Sequence, residues 1–222
     1  MNPVEPRRLM KDQAFDHIKK LIMDGSYVPG DFISERDLTS QLSMSKTHIR
    51  AALERLEQLG FVSIAPQRGV IVRAPDPREI SNHYDFRMAI ESWIVRDIAG
   101  RLTADSVEKL ELNLSRQHEQ VDGASVDIRG FMQSDAEFHQ ILTECTGNVE
   151  FERAMQVQRD RMQRVIETIA LRDPTVPPHS CREHETIFAA VLSGRGEDAA
   201  QAMVAHLMHG KKFMLMGGPY GS

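Results

Sequence analysis

The chain reads as mainly α, an N-terminal winged helix-turn-helix followed by an all-α helical bundle, and three observations predict this order. Ser34 to Arg73 run as helix, tight turn, helix and two β-rich stretches; residues 78 to 216 show helical apolar periodicity throughout; and Ala74-Pro75-Asp76-Pro77 breaks both strand and helix between them. The boundary therefore falls there, with residues 1–75 in front and 76–216 behind.

In the first region Ala14, Ile18, Leu21 and Ile22 mark an amphipathic helix ending at Gly25, and Val28-Pro29-Gly30 is a turn. Ser34 caps the next helix, with Asp37 placed to close a capping box, and Leu38 and Leu42 face inward. Ser43-Met44-Ser45 is a short polar break whose last residue caps a second helix. There Ile49, Leu53 and Leu56 repeat at helical spacing, so Lys46, Thr47 and Arg50 point outward at its N-terminal end. That end of a recognition helix touches base edges and phosphates in the DNA major groove. Gly60 stops the helix, and Phe61 to Ala65 and Val70 to Arg73 form a hairpin with Arg68 at its tip.

The bundle region holds helical stretches near 78–101, 104–121, 126–145, 148–171, 180–193 and 196–214, with Pro174 and Pro177-Pro178 in a loop. Several polar residues fall on the apolar stripes. Asp135 and His139 sit within the stripe of Ile128, Phe131, Phe138 and Leu142, His184 among Ile187, Phe188 and Val191, and His206 among Ala199, Ala202, Met203 and Phe213. Glu137 falls on the outer side, where solvent is expected. One inward histidine reads as a hydrogen-bonded core residue, whereas four ligating groups from one bundle point to a divalent metal. Imidazole and carboxylate suit zinc first, with nickel, manganese or iron as alternatives, and leave positions for water or a small acid.

Arg87 and Glu91 share a stripe with Ile80, Tyr84, Met88, Ile94 and Ile98. They read either as a buried ion pair or as a device in which Arg87 holds a ligand carboxylate and Glu91 balances it otherwise. Arg159, near the edge of the Phe151, Met155, Met162, Ile166 stripe, is a weaker effector contact. Phe86, Ile90 and Trp93 form a second apolar strip on the first bundle helix, suited to a subunit interface.

Composition narrows the function classes. At 222 residues with 41% hydrophobic and 27% charged, the chain is an ordinary folded one with room for two modest domains. No apolar run approaches membrane length, and MNPVEPRRLM lacks the apolar core of a signal peptide, so a cytoplasmic location is expected. Cys145 and Cys181 form no paired motif and read as reduced thiols. The net charge is −5, yet residues 1–76 carry 11 Lys and Arg against 10 Asp and Glu. So slight an excess means that placed cations, Arg36, Lys46, Arg50 and Arg68, must do more than bulk charge.

The front region resembles the GntR family of transcription regulators. The resemblance is carried by Glu35-Arg36-Asp37-Leu38, by Ser45-Lys46-Thr47-His48-Ile49-Arg50-Ala51-Ala52-Leu53, and by Pro66-Gln67-Arg68-Gly69-Val70-Ile71-Val72. It implies DNA contacts at Arg36, Ser45, Lys46, Thr47, His48, Arg50, Arg68 and Gly69, on palindromic double-stranded operator DNA. Lys46 replaces the usual arginine and His48 is atypical. The back region resembles the FCD ligand-binding domain of the FadR subfamily, through Phe86-Arg87 to Glu91, Asp135 to His139, Thr146-Gly147-Asn148, Glu183 to Ala190 and Ala205-His206-Leu207. It implies a metal on Asp135, His139, His184 and His206 with a small carboxylate beside it. The acyl-CoA-responsive branch lacks these histidines, which argues against a long acyl-CoA effector.

The expected protein is a homodimeric, ligand-responsive transcription repressor and not an enzyme. The rival readings are a metal-dependent hydrolytic enzyme and a structural DNA-binding dimer without effector.

Overall fold

The computed structural model describes residues 10–65, 69–73, 76–123, 125–170 and 175–216. It divides into two compact units, the first ending at Pro75 and the second starting at Asp76.

The first unit contains α1 (Met10–Met23), β1 (Phe32–Ile33), α2 (Glu35–Leu42), α3 (Lys46–Gln58), β2 (Val62–Ala65) and β3 (Gly69–Val72). Ile18 of α1, Leu38 of α2 and Ile49, Leu53 and Leu56 of α3 are buried together with Phe61, which fixes the three helices around one core. Ser34 Oγ accepts from the Asp37 amide at 3.2 Å and Ser45 Oγ from the His48 amide at 3.4 Å, so both expected caps form. The hairpin is joined by a strand the sequence did not suggest. β1 pairs with β3 in the antiparallel order β1-β3-β2, with Phe32 opposite Ile71. Two residues are too short to show alternation, and only pairing with β3 makes them a strand.

The second unit is an all-helical bundle of α4 (Pro77–Ile98), α5 (Ala104–Val121), α6 (Ile128–Glu144), α7 (Val149–Ala170), α8 (Val176–Leu192) and α9 (Gly196–Met216). Ile94, Leu110, Phe138, Leu142, Ile187 and Val191 lie in its centre. The most extensive helix contact is α4 along α9. Gly210 permits it, because a Cβ there would stand 3.0 Å from the Tyr84 hydroxyl oxygen. Two boundaries depart from the sequence expectation by three residues or more. α4 ends at Ile98, three residues early, and α8 begins at Val176, so that Pro177-Pro178 forms its first turn instead of a loop. Proline lacks an amide hydrogen, which a first helical turn does not need. Among the described residues no helix is long and apolar enough to cross a membrane.

Ser43 closes α2 in the left-handed region, at φ 51°. A Cβ is strained there and glycine is not. Ser43→Gly is expected to stabilise the protein by about 0.5–1 kcal/mol, read from urea unfolding; a loss of stability would show that the strain is absent.

Candidate metal and effector site

In the first unit, Ser45, Lys46, Thr47 and Arg50 are exposed on one end of α3, His48 is half-buried beside them, and Arg36 is exposed on α2. The His48 Nδ1 lies 3.0 Å from Ser45 Oγ. Arg50 Nε donates to both carboxylate oxygens of Glu35, at 3.1 and 3.2 Å, and Lys46 Nζ stands 3.8 Å from the same group. Glu35 thus gathers the cations of this face, a role the sequence hid behind its helix-start position. Gly69 opens β3 at φ +91°, and Arg68 lies outside the described residues.

In the second unit, Asp135 and His139 of α6, His184 of α8 and His206 of α9 each offer a ligating atom, all within 4.8 Å of one another. Helical periodicity put each on its helix's inner face, and packing brings the faces together. The Nε2 of His206 is 3.3 Å from that of His184 and 3.2 Å from that of His139; Asp135 Oδ1 is 3.5 Å from His184 Nε2. Nitrogens bound at about 2.0–2.1 Å to one tetrahedral ion stand about 3.3 Å apart.

The outer ring edges show which nitrogens carry protons. Asn113 Nδ2 donates to the Ser134 carbonyl at 3.0 Å and to Glu137 Oε2 at 2.9 Å, and both can only accept. Its Oδ1 must then accept from Gln117 Nε2 at 2.7 Å, which leaves Gln117 Oε1 to accept from His184 Nδ1 at 2.8 Å. His184 is therefore protonated on Nδ1 and bare on Nε2. Glu183 Oε2 lies 2.8 Å from His206 Nδ1, and Glu91 Oε2 lies 2.5 Å from His139 Nδ1 in a close but poorly aligned approach. Carboxylates favour the same tautomer in both rings. The three Nε2 atoms face one another in a buried space, and with the proton on Nδ1 of each ring their lone pairs converge where a cation would be bound. The donor set fits a divalent ion.

Beside the cluster is a cavity of about 50 Å³ whose lining includes Tyr84, Arg87, Asp135, Ser180 and Phe213. Glu91 takes Arg87 Nε at 2.5 Å and Nη2 at 3.4 Å, leaving Nη1 unengaged by that carboxylate. Arg87 and the Glu91–His139 contact together hold Glu91 ionised, well below the usual carboxylate range despite its burial. Burial pushes the Tyr84 hydroxyl up to about 12, so it stays a neutral donor.

Residues 10–72 match the family model for bacterial regulatory proteins of the gntR family, and residues 82–209 match the FCD domain. The chain belongs to the GntR family. It is a DNA-binding transcription regulator with an effector-binding FCD domain; the family consists of regulators and not enzymes. Among its relatives is the HTH-type transcriptional repressor RspR of Escherichia coli, 27% identical over 93% of this chain and 88% of that protein. A putative L-lactate dehydrogenase operon regulatory protein of Escherichia coli is 27% identical over 92% and 85%. The fold matches a GntR regulator from Rhodococcus sp. RHA1, with a TM-score of 0.75 at 22% identity over 92% of this chain and 97% of that one. Escherichia coli McbR/YncC gives 0.75 at 17% identity over 95% and 99%.

Within this GntR-family chain the structure brings Asp135, His139, His184, His206, Arg87 and Glu91 into one neighbourhood. It does not bring Arg159 to the cavity: that side chain donates to Gln140 Oε1 at 2.8 Å and lines a separate groove with Thr143 and Glu152. Glu91 also lies against His139, a second contact beside its pair with Arg87 that the sequence did not suggest. Glu137, expected in solvent, keeps a side chain 45% exposed and paired with Arg116, and it also accepts from Asn113. The sequence reading missed Gln117 and Asn113, although both lie on the Leu110–Leu114 stripe of α5, where an inward polar pair was visible. It missed Glu183 because nothing local indicated that α9 would present two histidines to it.

His139→Ala is expected to abolish metal retention, and Gln117→Leu to weaken zinc about 10–100-fold, by competition with a chromophoric chelator. His118→Ala, whose ring meets Glu185 on the surface, should change nothing. Equal affinity in His139→Ala and wild type would refute the site.

Stability without metal should depend on pH. Burial, and then Arg87, push His83 down to about 3, and burial pushes His139 and His184 below 6.5. The unfolded rings take up protons near pH 6.5 while the folded ones do not, so stability is full above that pH and declines as pH falls. The slope is about 1.4 kcal/mol per pH unit for each histidine still neutral when folded. Urea midpoints in EDTA at descending pH check it, and a flat profile would contradict the assigned neutral rings.

Proposed function

We propose that this regulator is a homodimeric repressor of the cytoplasm, controlled by a small organic acid bound beside a divalent metal in the FCD domain. The observation that carries the reading is the convergence of the Nε2 atoms of His139, His184 and His206 with Asp135, beside a cavity that Arg87 also lines. Asp135, His139, His184 and His206 would hold the ion, with zinc the first choice for this donor set. A bound ion offers an open coordination position to a carboxylate oxygen. Arg87 supplies directed donors to the same guest, while Glu91, Gln117 and Glu183 orient the rings.

On the DNA side, Arg36, Ser45, Lys46, Thr47, His48, Arg50, Arg68 and Gly69 would meet a palindromic operator, one half-site per subunit. Glu35 would release Arg50 and Lys46 to DNA. The exposed Trp93 and the Phe86–Ile90 strip support a subunit interface on α4. The repressor named RspR among the relatives supports the sign of regulation.

Arg50→Ala should weaken specific operator binding by about 1–3 kcal/mol, in fluorescence titrations at fixed salt, with the fold intact. Arg87→Ala should bind operator and zinc as wild type yet no longer respond to the acid. An unchanged response would reduce Arg87 to a packing residue.

A further inference from the structure

Glu35 is an acid set among the cations of a face that meets DNA. It opens α2, yet its side chain reaches the two cations of α3: Arg50 Nε donates to both of its oxygens, at 3.1 and 3.2 Å, and Lys46 Nζ stands 3.8 Å away. The Glu35 side chain is 26% exposed, against 66% for Lys46 and 58% for Arg50. Its backbone is held as well. The Glu35 carbonyl accepts from Thr39 Oγ1 at 2.7 Å, in a helix whose start is closed by the Asp37 amide on Ser34 Oγ. The carboxylate therefore stays beside the cations even when its ion pairs with them open.

The two kinds of DNA contact respond differently to such a neighbour. Non-specific binding is built from phosphate contacts, which draw on the charge of lysine and arginine. A phosphate at Arg50 or Lys46 must displace the carboxylate or share the cation with it. Either way it lies close to a fixed negative charge, inside the screening distance of about 8 Å at physiological salt. A base edge carries no net charge. Guanine offers neutral O6 and N7 acceptors that take a guanidinium by a fork of two donors. Glu35 engages Nε of Arg50, so the terminal nitrogens supply that fork.

Bulk charge does not sort contacts in this way. Residues 1–76 carry 11 Lys and Arg against 10 Asp and Glu, and removing an acid remote from the reading cations raises attraction for every duplex alike. An acid in contact with those cations penalises phosphate there and leaves a base contact intact.

We propose that Glu35 sets the DNA specificity of this regulator, acting through Arg50 and Lys46. Its carboxylate weakens the phosphate contacts these two cations make and spares their contacts with bases. This rests on the reading of Lys46 and Arg50 as DNA contacts, and adds to it the residue that governs the ratio of specific to non-specific affinity.

The experiment is fluorescence titration of the full chain over a series of salt concentrations, with two probes. One is the duplex the chain itself selects from a random-sequence library, and the other is a scrambled duplex of the same length and composition. Glu35→Gln keeps the shape and removes the charge. It should bind the scrambled duplex about five- to tenfold more tightly, with a salt slope steeper by about one, and change affinity for the selected duplex by less than about twofold. Asp37→Asn removes the same charge two residues along and should leave the ratio of the two affinities as in wild type. Equal gains on both duplexes, or an equal fall of the ratio in Asp37→Asn, would make Glu35 one bulk charge among others and overturn the proposal. A loss on the selected duplex without a gain on the scrambled one would make it a mere support for Arg50, with the same result. In a chain carrying Lys46→Ala and Arg50→Ala, Glu35→Gln should have no effect, and full persistence of its gain would refute action through those cations. If that doubly substituted chain itself bound both duplexes as wild type, the reading of α3 as the DNA contact would fall instead. Glu35→Ser gives the same readout should Glu35→Gln fail to fold.

Discussion

Three imidazole nitrogens directed at one another in a buried space are the constraint on which the bundle depends. Nothing about a single histidine on an apolar stripe demands this, and each ring alone could turn to share a hydrogen bond. Two of the rings are held at their outer edges, His184 by Gln117 and His206 by Glu183, with Glu91 close to the third, and Gln117 is itself fixed through Asn113 to a backbone carbonyl. The network is therefore directional from its anchor inward. Its effect is to keep lone pairs where an ion would need them.

The same network ties the helices together. The candidate ligands come from α6, α8 and α9, and the groups behind them from α4, α5 and α8, so five of the six bundle helices contribute to one neighbourhood. An ion bound there would act on the packing of the bundle as a whole. The buried Arg87–Glu91 pair belongs to this arrangement. Its net stabilisation against an apolar alternative is small, because two charges must leave water. Its use is positional, since Glu91 restrains both a guanidinium at the cavity and an imidazole at the cluster.

The DNA-reading face follows another logic. Arg50 and Lys46 are exposed and share Glu35, and ion pairs of this kind contribute little to folding. They cost little to break, which suits groups that exchange a carboxylate for phosphate or base. A nearly neutral first unit can thus bind DNA through placed charges, with Glu35 holding the two cations on one surface.

The sequence by itself determined which residues turn inward. Apolar periods of a helix fixed the stripes, and Asp135, His139, His184, His206, Arg87 and Glu91 lay on them before any packing was known. Caps at Ser34 and Ser45 were legible because a capping bond closes within three residues. What tertiary structure alone decided were the relations between stripes: that His206 meets both other rings, that Glu183 and Gln117 stand behind them, and that Arg159 turns instead to Gln140. The two-residue strand β1 and the proline-led start of α8 belong to the same class, since each exists only through its neighbours. The physical reason is range. Periodicity and capping act over one or two helical turns and are written in consecutive residues, whereas a hydrogen bond between Gln117 and His184 joins positions 67 residues apart, and no local pattern specifies which distant side chain will complete it.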